Sequence, residues 1–163
     1  MKSGQRPARA TVLPLERNLV HHFMRIVNGL NIKLAERIRV LNLNVSQFRV
    51  LQILYEHDGL IISELCDQCV ITRPVFSRVL QQVERRKLVK RVREDGDKRA
   101  YRIWLTPRGA ATYEAAVPFA RQLLDDICNG LEAAEVDRLE DVIAMIDLKV
   151  NPEGDRAKFR SIW

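Results

Sequence analysis

Arginine, serine and glutamine recur through one short stretch of this chain, in an order suited to hydrogen bonding with base edges. From Ser63 to Thr106 the text is SELCDQCVITRPVFSRVLQQVERRKLVKRVREDGDKRAYRIWLT. Val75, Val79, Leu80 and Val83 repeat at helical spacing, and Arg73, Ser77, Arg78, Gln81 and Gln82 fall towards other faces. Guanidinium and carboxamide groups can each form paired hydrogen bonds with one base, and a helix fits the major groove of double-stranded DNA. Arg73 and Ser77, near the helix start, are best placed for bases; Arg78 and Gln81 can reach bases or phosphates. Lys90, Arg91, Arg93, Lys98 and Arg102 follow on two basic segments and the charged tip EDGDKRA between them, where they suit phosphates.

Those side chains need a frame. Ser63 can cap a first short helix that carries Leu65, Cys66 and Cys69 inward. Thr72 can cap the second, with Arg73 and Pro74 in its first turn, where proline lacks only a donor that would be unsatisfied anyway. Leu88, Val89 and Val92, then Tyr101, Ile103 and Leu105, read as two strands, with Asp95-Gly96 as the hairpin signal. Leu60-Ile61-Ile62 adds a short third strand, and Ser46 can cap a helix running through about Glu56. The fold expected for 46–106 is a winged helix-turn-helix, within a chain that is mainly α with a small β wing.

Helices flank this unit on both sides. In 13–45, Leu15, Leu19, His22, Phe23, Ile26, Val27 and Leu30 repeat in steps of three and four, predicting a helix from about Pro14 to the Arg39 region. In 107–148, Thr106-Pro107 starts a long helix that Asn129-Gly130 stops, with Pro118 expected to kink it, and a last helix runs from Glu132 to about Ile146. Residues 1–12 read as a mobile basic arm, and 149–163 as a polar tail whose Phe159, Ile162 and Trp163 could dock.

Charge is segregated along the chain. The whole carries +6. From Arg73 to Arg108 twelve basic residues face four acids, a local +8, whereas Gly109 to Leu148 holds nine acids and two arginines, a local −7. That separation places a positive field on the reading helices and points to a polyanionic partner. No run is long and apolar enough for a membrane span and no signal-peptide core opens the sequence, so a cytoplasmic setting without membrane contact is expected. No catalytic motif is present: there is no nucleophile elbow, no phosphate loop and no paired acids near His21, His22 or His57. Cys66-x-x-Cys69 lacks a second pair or a nearby histidine to complete a zinc site and reads as two small core residues. No cofactor or metal is expected.

Gln47-Phe48-Arg49-Val50-Leu51, Ser63-Glu64-Leu65, Ser77-Arg78-Val79, Leu88-Val89 and Asp97-Lys98-Arg99, ending in Leu105-Thr106, together resemble the MarR family of bacterial transcription regulators, over roughly 15–148. The resemblance implies that the helices at both ends intertwine into a homodimer, which their apolar residues on more than one side also suit; a monomeric helical core is the alternative. It further implies that Arg99 enters the minor groove from the wing, with Asp97 orienting its guanidinium through a bidentate pair. Two recognition helices would then lie roughly 34–36 Å apart on a palindromic operator. A ligand pocket is implied where the first and second helices meet the fifth, a region that could gather His21, His22, Arg25, Phe48, Tyr113 and Phe119. Those residues suit a small aromatic or phenolic effector. The family often has glycine after the recognition helix, where this chain has Lys87. The function so implied is a repressor released by its effector. An activator, a dual regulator, or an architectural or protein-interaction module remain as alternatives.

Overall fold

Asn44 and Gln47 fix the start of the helix around which the core forms. The Asn44 side chain accepts from the Gln47 N–H at 2.9 Å, and Gln47 Oε1 accepts from the Asn44 N–H at 3.2 Å. This reciprocal pair satisfies donors that a helix start otherwise leaves open. The cap is therefore Asn44, not Ser46, which falls inside α2 (Val45–Glu56). In the computed structural model, which describes residues 18–94 and 97–151, α2 is preceded by α1 (Leu19–Ile38) and a 3-10 turn at Arg39–Leu41. The basic arm, residues 14–17 of the expected first helix, the Asp95-Gly96 turn and the Phe159–Trp163 end lie outside the described residues.

After α2 come β1 (Leu60–Ile61), α3 (Ile62–Gln68), α4 (Arg73–Arg85), β2 (Val89–Glu94) and β3 (Asp97–Leu105). The three strands form one antiparallel sheet in the order β1-β3-β2, with Leu60 opposite Ile103 and Val89 opposite Leu105. The chain is thus mainly helical with a small antiparallel wing. Helix α3 begins one residue before Ser63, and the donor at its start is met by Glu64, whose carboxylate accepts from the Ile61 N–H at 3.2 Å. Leu65, Cys66 and Cys69 all point into the core, as expected.

The inner face of α4 differs from the expected series by one position. Phe76, Val79, Leu80 and Val83 are buried, whereas Val75 is 45% exposed. Phe76 completes the i, i+3, i+4, i+7 stripe, and Val75 lies off it. Leu51 and Leu54 from α2, Leu88 from the α4–β2 turn and Ile103 from the sheet close the same core.

Helix α4 ends on Lys87, whose φ is 59°. The Leu88 N–H donates to the Val83 carbonyl at 3.0 Å and the Lys87 N–H to the Glu84 carbonyl at 2.8 Å. This is the bonding of a left-handed helix stop, in which glycine relieves the Cβ strain. Lys87→Gly should raise stability by about 0.5 kcal/mol, the relief of roughly 1 kcal/mol being partly offset by a looser unfolded chain and a lost C-terminal cation. Urea unfolding followed by circular dichroism measures it; a loss of stability would show that Lys87 makes contacts worth more than its strain.

The next helix is fastened directly onto that stop. Thr106 Oγ1 donates within 2.8 Å of the Lys87 carbonyl and 2.9 Å of that of Leu88, accepts from the Gly109 N–H at 3.0 Å, and the Thr106 N–H donates to the Leu88 carbonyl at 3.0 Å. From this cap α5 runs through Pro107–Cys128 with Pro118 inside it. Arg37 pairs with Asp126 at 2.6 Å, joining α1 to α5. The last helix, α6 (Ala133–Val150), has no buried residue. Among the described residues no helix is long and apolar enough to cross a membrane.

Candidate nucleic-acid interface

All five residues expected to read bases lie exposed on α4: Arg73, Ser77, Arg78, Gln81 and Gln82. Ser77 and Gln81 follow Arg73 at intervals of four, which puts the three along one side of the helix. Val75 joins this surface, and an apolar group there can meet a thymine methyl. Sequence spacing had placed Val75 inward; the signal for its exposure was Phe76, the bulkier candidate for the same stripe.

Gln82 has another engagement. Its Oε1 accepts from Gln47 Nε2 at 2.9 Å, tying α4 to α2. Arg86, not singled out by the sequence, extends that tie: its guanidinium donates to the carbonyls of Asn42 at 2.6 Å and Leu41 at 3.2 Å, and to Gln47 Oε1 at 3.3 Å. Together these fix the angle at which α4 leaves the core.

The wing's base is fixed from the residues just before β1. Asp58 Oδ1 accepts from the Leu105 N–H at 2.7 Å, and Arg102 donates to the Gly59 carbonyl at 2.9 Å. Gly59 has φ 73°, and a Cβ there would come 2.7 Å from the Trp104 ring, so glycine is required. Arg102 thus holds the wing's base. Arg91 is also engaged within the protein, pairing with Glu84 at 2.9 Å. Lys90 and Arg93 are exposed. Asp97, Lys98 and Arg99 belong to β3 by backbone; the side chains of 94–100 lie outside the described residues.

The expected effector residues fall into two groups. The Phe48 and Tyr113 rings lie 5.5 Å apart and Tyr55 stacks 4.8 Å from Tyr113, while Phe119 packs against the same core. Burial, with the nearby Glu56 charge, holds the Tyr113 phenol above its ordinary range. Its neighbour Tyr55 is raised by the hydrogen bond its hydroxyl makes to Glu114. His21, His22 and Arg25 lie on the N-terminal half of α1, the two imidazoles 6.3 Å apart. Beside them Phe23, Met24, Val27, Asn28 and Asn31 line an open hollow of ≈ 360 Å³. Arg49 on α2 donates to Asn31 at 3.0 Å and so reaches this group.

The cysteine pair is core. Burial pushes the Cys69 thiol up to about 12, with the charge of Cys66 adding to the effect. Such a thiol is almost wholly protonated at neutral pH and a poor nucleophile. Among the described residues no group of three or more His, Cys, Asp or Glu could hold a metal ion.

The model of the MarR family matches residues 41–100, which span α2, α3, α4 and most of the wing. The transcriptional regulator HosA of Escherichia coli is 28% identical over 94 residues, 58% of this chain and 70% of its own length. A MarR-family transcriptional regulator from Silicibacter pomeroyi superposes with a TM-score of 0.73 at 28% identity, covering 84% of this chain and 92% of that one. The Bordetella bronchiseptica regulator BpsR, solved in a study of how 6-hydroxynicotinic acid regulates its DNA binding, has the same fold. Its TM-score is 0.72 at 24% identity, with 79% of this chain and 98% of that one covered.

Proposed function

We propose that this chain is a transcriptional regulator of the MarR family that acts as a homodimeric repressor covering a palindromic operator, released by a small aromatic or phenolic molecule. It is not an enzyme. The observation that carries the DNA-reading part is the outward face of α4. Arg73, Ser77, Arg78 and Gln81 stand free on a helix whose opposite face is fully packed and whose flank is tied to α2. A rigidly held row of donors is what base discrimination needs, because each contact is worth only about 1–3 kcal/mol and depends on register.

The dimer is supported by apolar surface that the chain leaves open. On α1, Leu19, Val20 and Met24 are more than half exposed, and on α6 Leu139, Ile143 and Met145 are about half exposed. A second copy is the occupant that twofold symmetry supplies at no cost in specificity, and it sets two α4 helices about one DNA turn apart. The effector reading is supported by the α1 hollow and by BpsR, whose effector is a small hydroxylated aromatic acid. The contacts proposed for it come from His21, His22 and Arg25 on α1 and from the Phe48, Tyr113 and Phe119 cluster between α2 and α5. It would release DNA only through its difference in affinity for the two spacings of the reading heads.

Fluorescence anisotropy tests the DNA-reading part. The protein would select a duplex from a random pool, and that duplex would be compared with a scrambled one at physiological salt. The expected preference is about 10³-fold or more, with a palindrome in the selected sequence. Equal affinity for both duplexes would refute sequence-specific regulation and move the function to an architectural role.

A further inference from the structure

A row of side chains outside the reading face fastens the wing to α4. Glu84, the only acid in α4, accepts from Arg91 Nε at 2.9 Å and Nη2 at 3.3 Å, joining the helix to β2. The Arg91 guanidinium lies 5.5 Å from the Tyr101 ring centroid and that of Arg93 5.6 Å from the same ring. Arg93 also donates through Nη2 to the Tyr101 hydroxyl at 3.2 Å. In the sheet, Arg93 stands opposite Tyr101 and Arg91 opposite Ile103. Ile103 is fully buried, so the row starts at the core edge and runs outward along the wing.

Geometry gives this row a partner. A helix in the major groove and a wing in the adjoining minor groove must straddle the sugar–phosphate strand between them. The row joins α4 to the wing, the two elements that would flank that strand. A phosphate arriving there meets two guanidiniums of different character: Arg91 is compensated by Glu84, whereas Arg93 has no carboxylate partner among the described residues. A lone carboxylate on a helix that approaches DNA weakens attraction to every sequence alike. Its use must lie elsewhere, in holding one cation back and one angle constant.

We propose that Arg93 and Tyr101 seat the backbone phosphate between the two grooves, while Glu84 withholds Arg91 from it and fixes the wing against α4, making Glu84 a determinant of sequence preference rather than of affinity. This rests on the DNA-reading function proposed above. Both guanidiniums keep contact with the Tyr101 ring face, and Arg93 alone is left to make the charge-assisted bond to phosphate.

Glu84→Gln keeps the shape and frees Arg91. On the scrambled duplex its affinity should rise by roughly threefold to tenfold at low salt, and the slope of log K against log salt should steepen by about 0.9 per protomer, one phosphate's worth. Preference for the selected duplex should drop about tenfold, as the wing contact loosens. In Glu84→Gln/Arg91→Gln the gain on scrambled DNA should vanish while the preference stays low. Arg93→Gln should lower affinity for both duplexes alike and make the slope shallower by about 0.9. Thermal midpoints close to the parent's show that these changes act on binding. Glu84→Gln with the parental slope and preference, or Arg93→Gln with the parental slope, overturns the proposal. The slopes are read on scrambled DNA, so they test the Glu84–Arg91 gate even if the parent prefers no sequence, a result that would sink the regulator reading alone.

Discussion

Gly109→Ala is expected to destabilise the protein by about 3 kcal/mol and lower its melting temperature by roughly 10 °C. A Cβ at this position would overlap the Leu88 carbonyl oxygen and come 2.8 Å from Leu105 Cδ1 and 3.0 Å from the Leu88 carbonyl carbon. Two of those three atoms are backbone, so no rotamer change relieves the clash. Helix α5 must lift off the end of α4, and the bonds that Thr106 makes to the Lys87 and Leu88 carbonyls stretch with it. Overpacking alone costs about 1–3 kcal/mol, and each weakened hydrogen bond adds about 1 kcal/mol. The better helix propensity of alanine returns at most about 1 kcal/mol. Thermal and urea unfolding by circular dichroism read the loss. A midpoint within roughly 2 °C of the parent would mean that α5 is not seated on Leu88 as described. The consequence reaches DNA binding too, because this junction is the covalent joint between the reading head and the long α5 helix.

Why this joint escaped notice in the sequence, while the helix it starts did not, is a matter of distance along the chain. Thr106-Pro107 was legible as a helix start because a cap and a proline act within one turn. That the same threonine also bonds to Lys87 and Leu88 depends on folding nineteen residues of hairpin back, and no local pattern encodes it. The wing was legible for the same local reason, in alternating Leu88, Val89, Val92 and Tyr101, Ile103, Leu105. Three residues meet surroundings that local spacing did not show. Gln82 has the chemistry of a base reader, but its carbonyl oxygen is held by Gln47, thirty-five positions away. Arg91 suits a phosphate, yet Glu84 on the preceding helix reaches it first. Val75 and Phe76 competed for one stripe, and the larger ring took the core. Residue type told what each group could do; which partner it meets is settled by tertiary contacts at long sequence separation.

Arg99→Ala should weaken binding to the selected duplex by about 10- to 100-fold, in line with roughly 1–3 kcal/mol for an inserted arginine. Arg99 lies on β3 beyond the Arg93–Tyr101 pair, towards the tip of the wing and away from the core. Fold stability should therefore stay at the parental value, and the whole effect should appear in DNA binding. A guanidinium in a minor groove responds to the deeper negative potential of a narrow, A·T-rich segment. Replacing that segment of the duplex by G·C should cost the parent about tenfold and the variant almost nothing, because each change removes the same interaction. Arg99→Lys keeps the charge but loses the planar fork, so it should recover the salt slope without recovering the preference. This pattern separates groove reading from simple attraction, which lysine would restore in full. Equal affinity of Arg99→Ala and parent protein for the selected duplex would take the wing out of recognition and leave the reading to α4 alone. A variant that lost affinity in the same proportion on A·T and G·C flanks would instead place Arg99 on a phosphate, outside the groove.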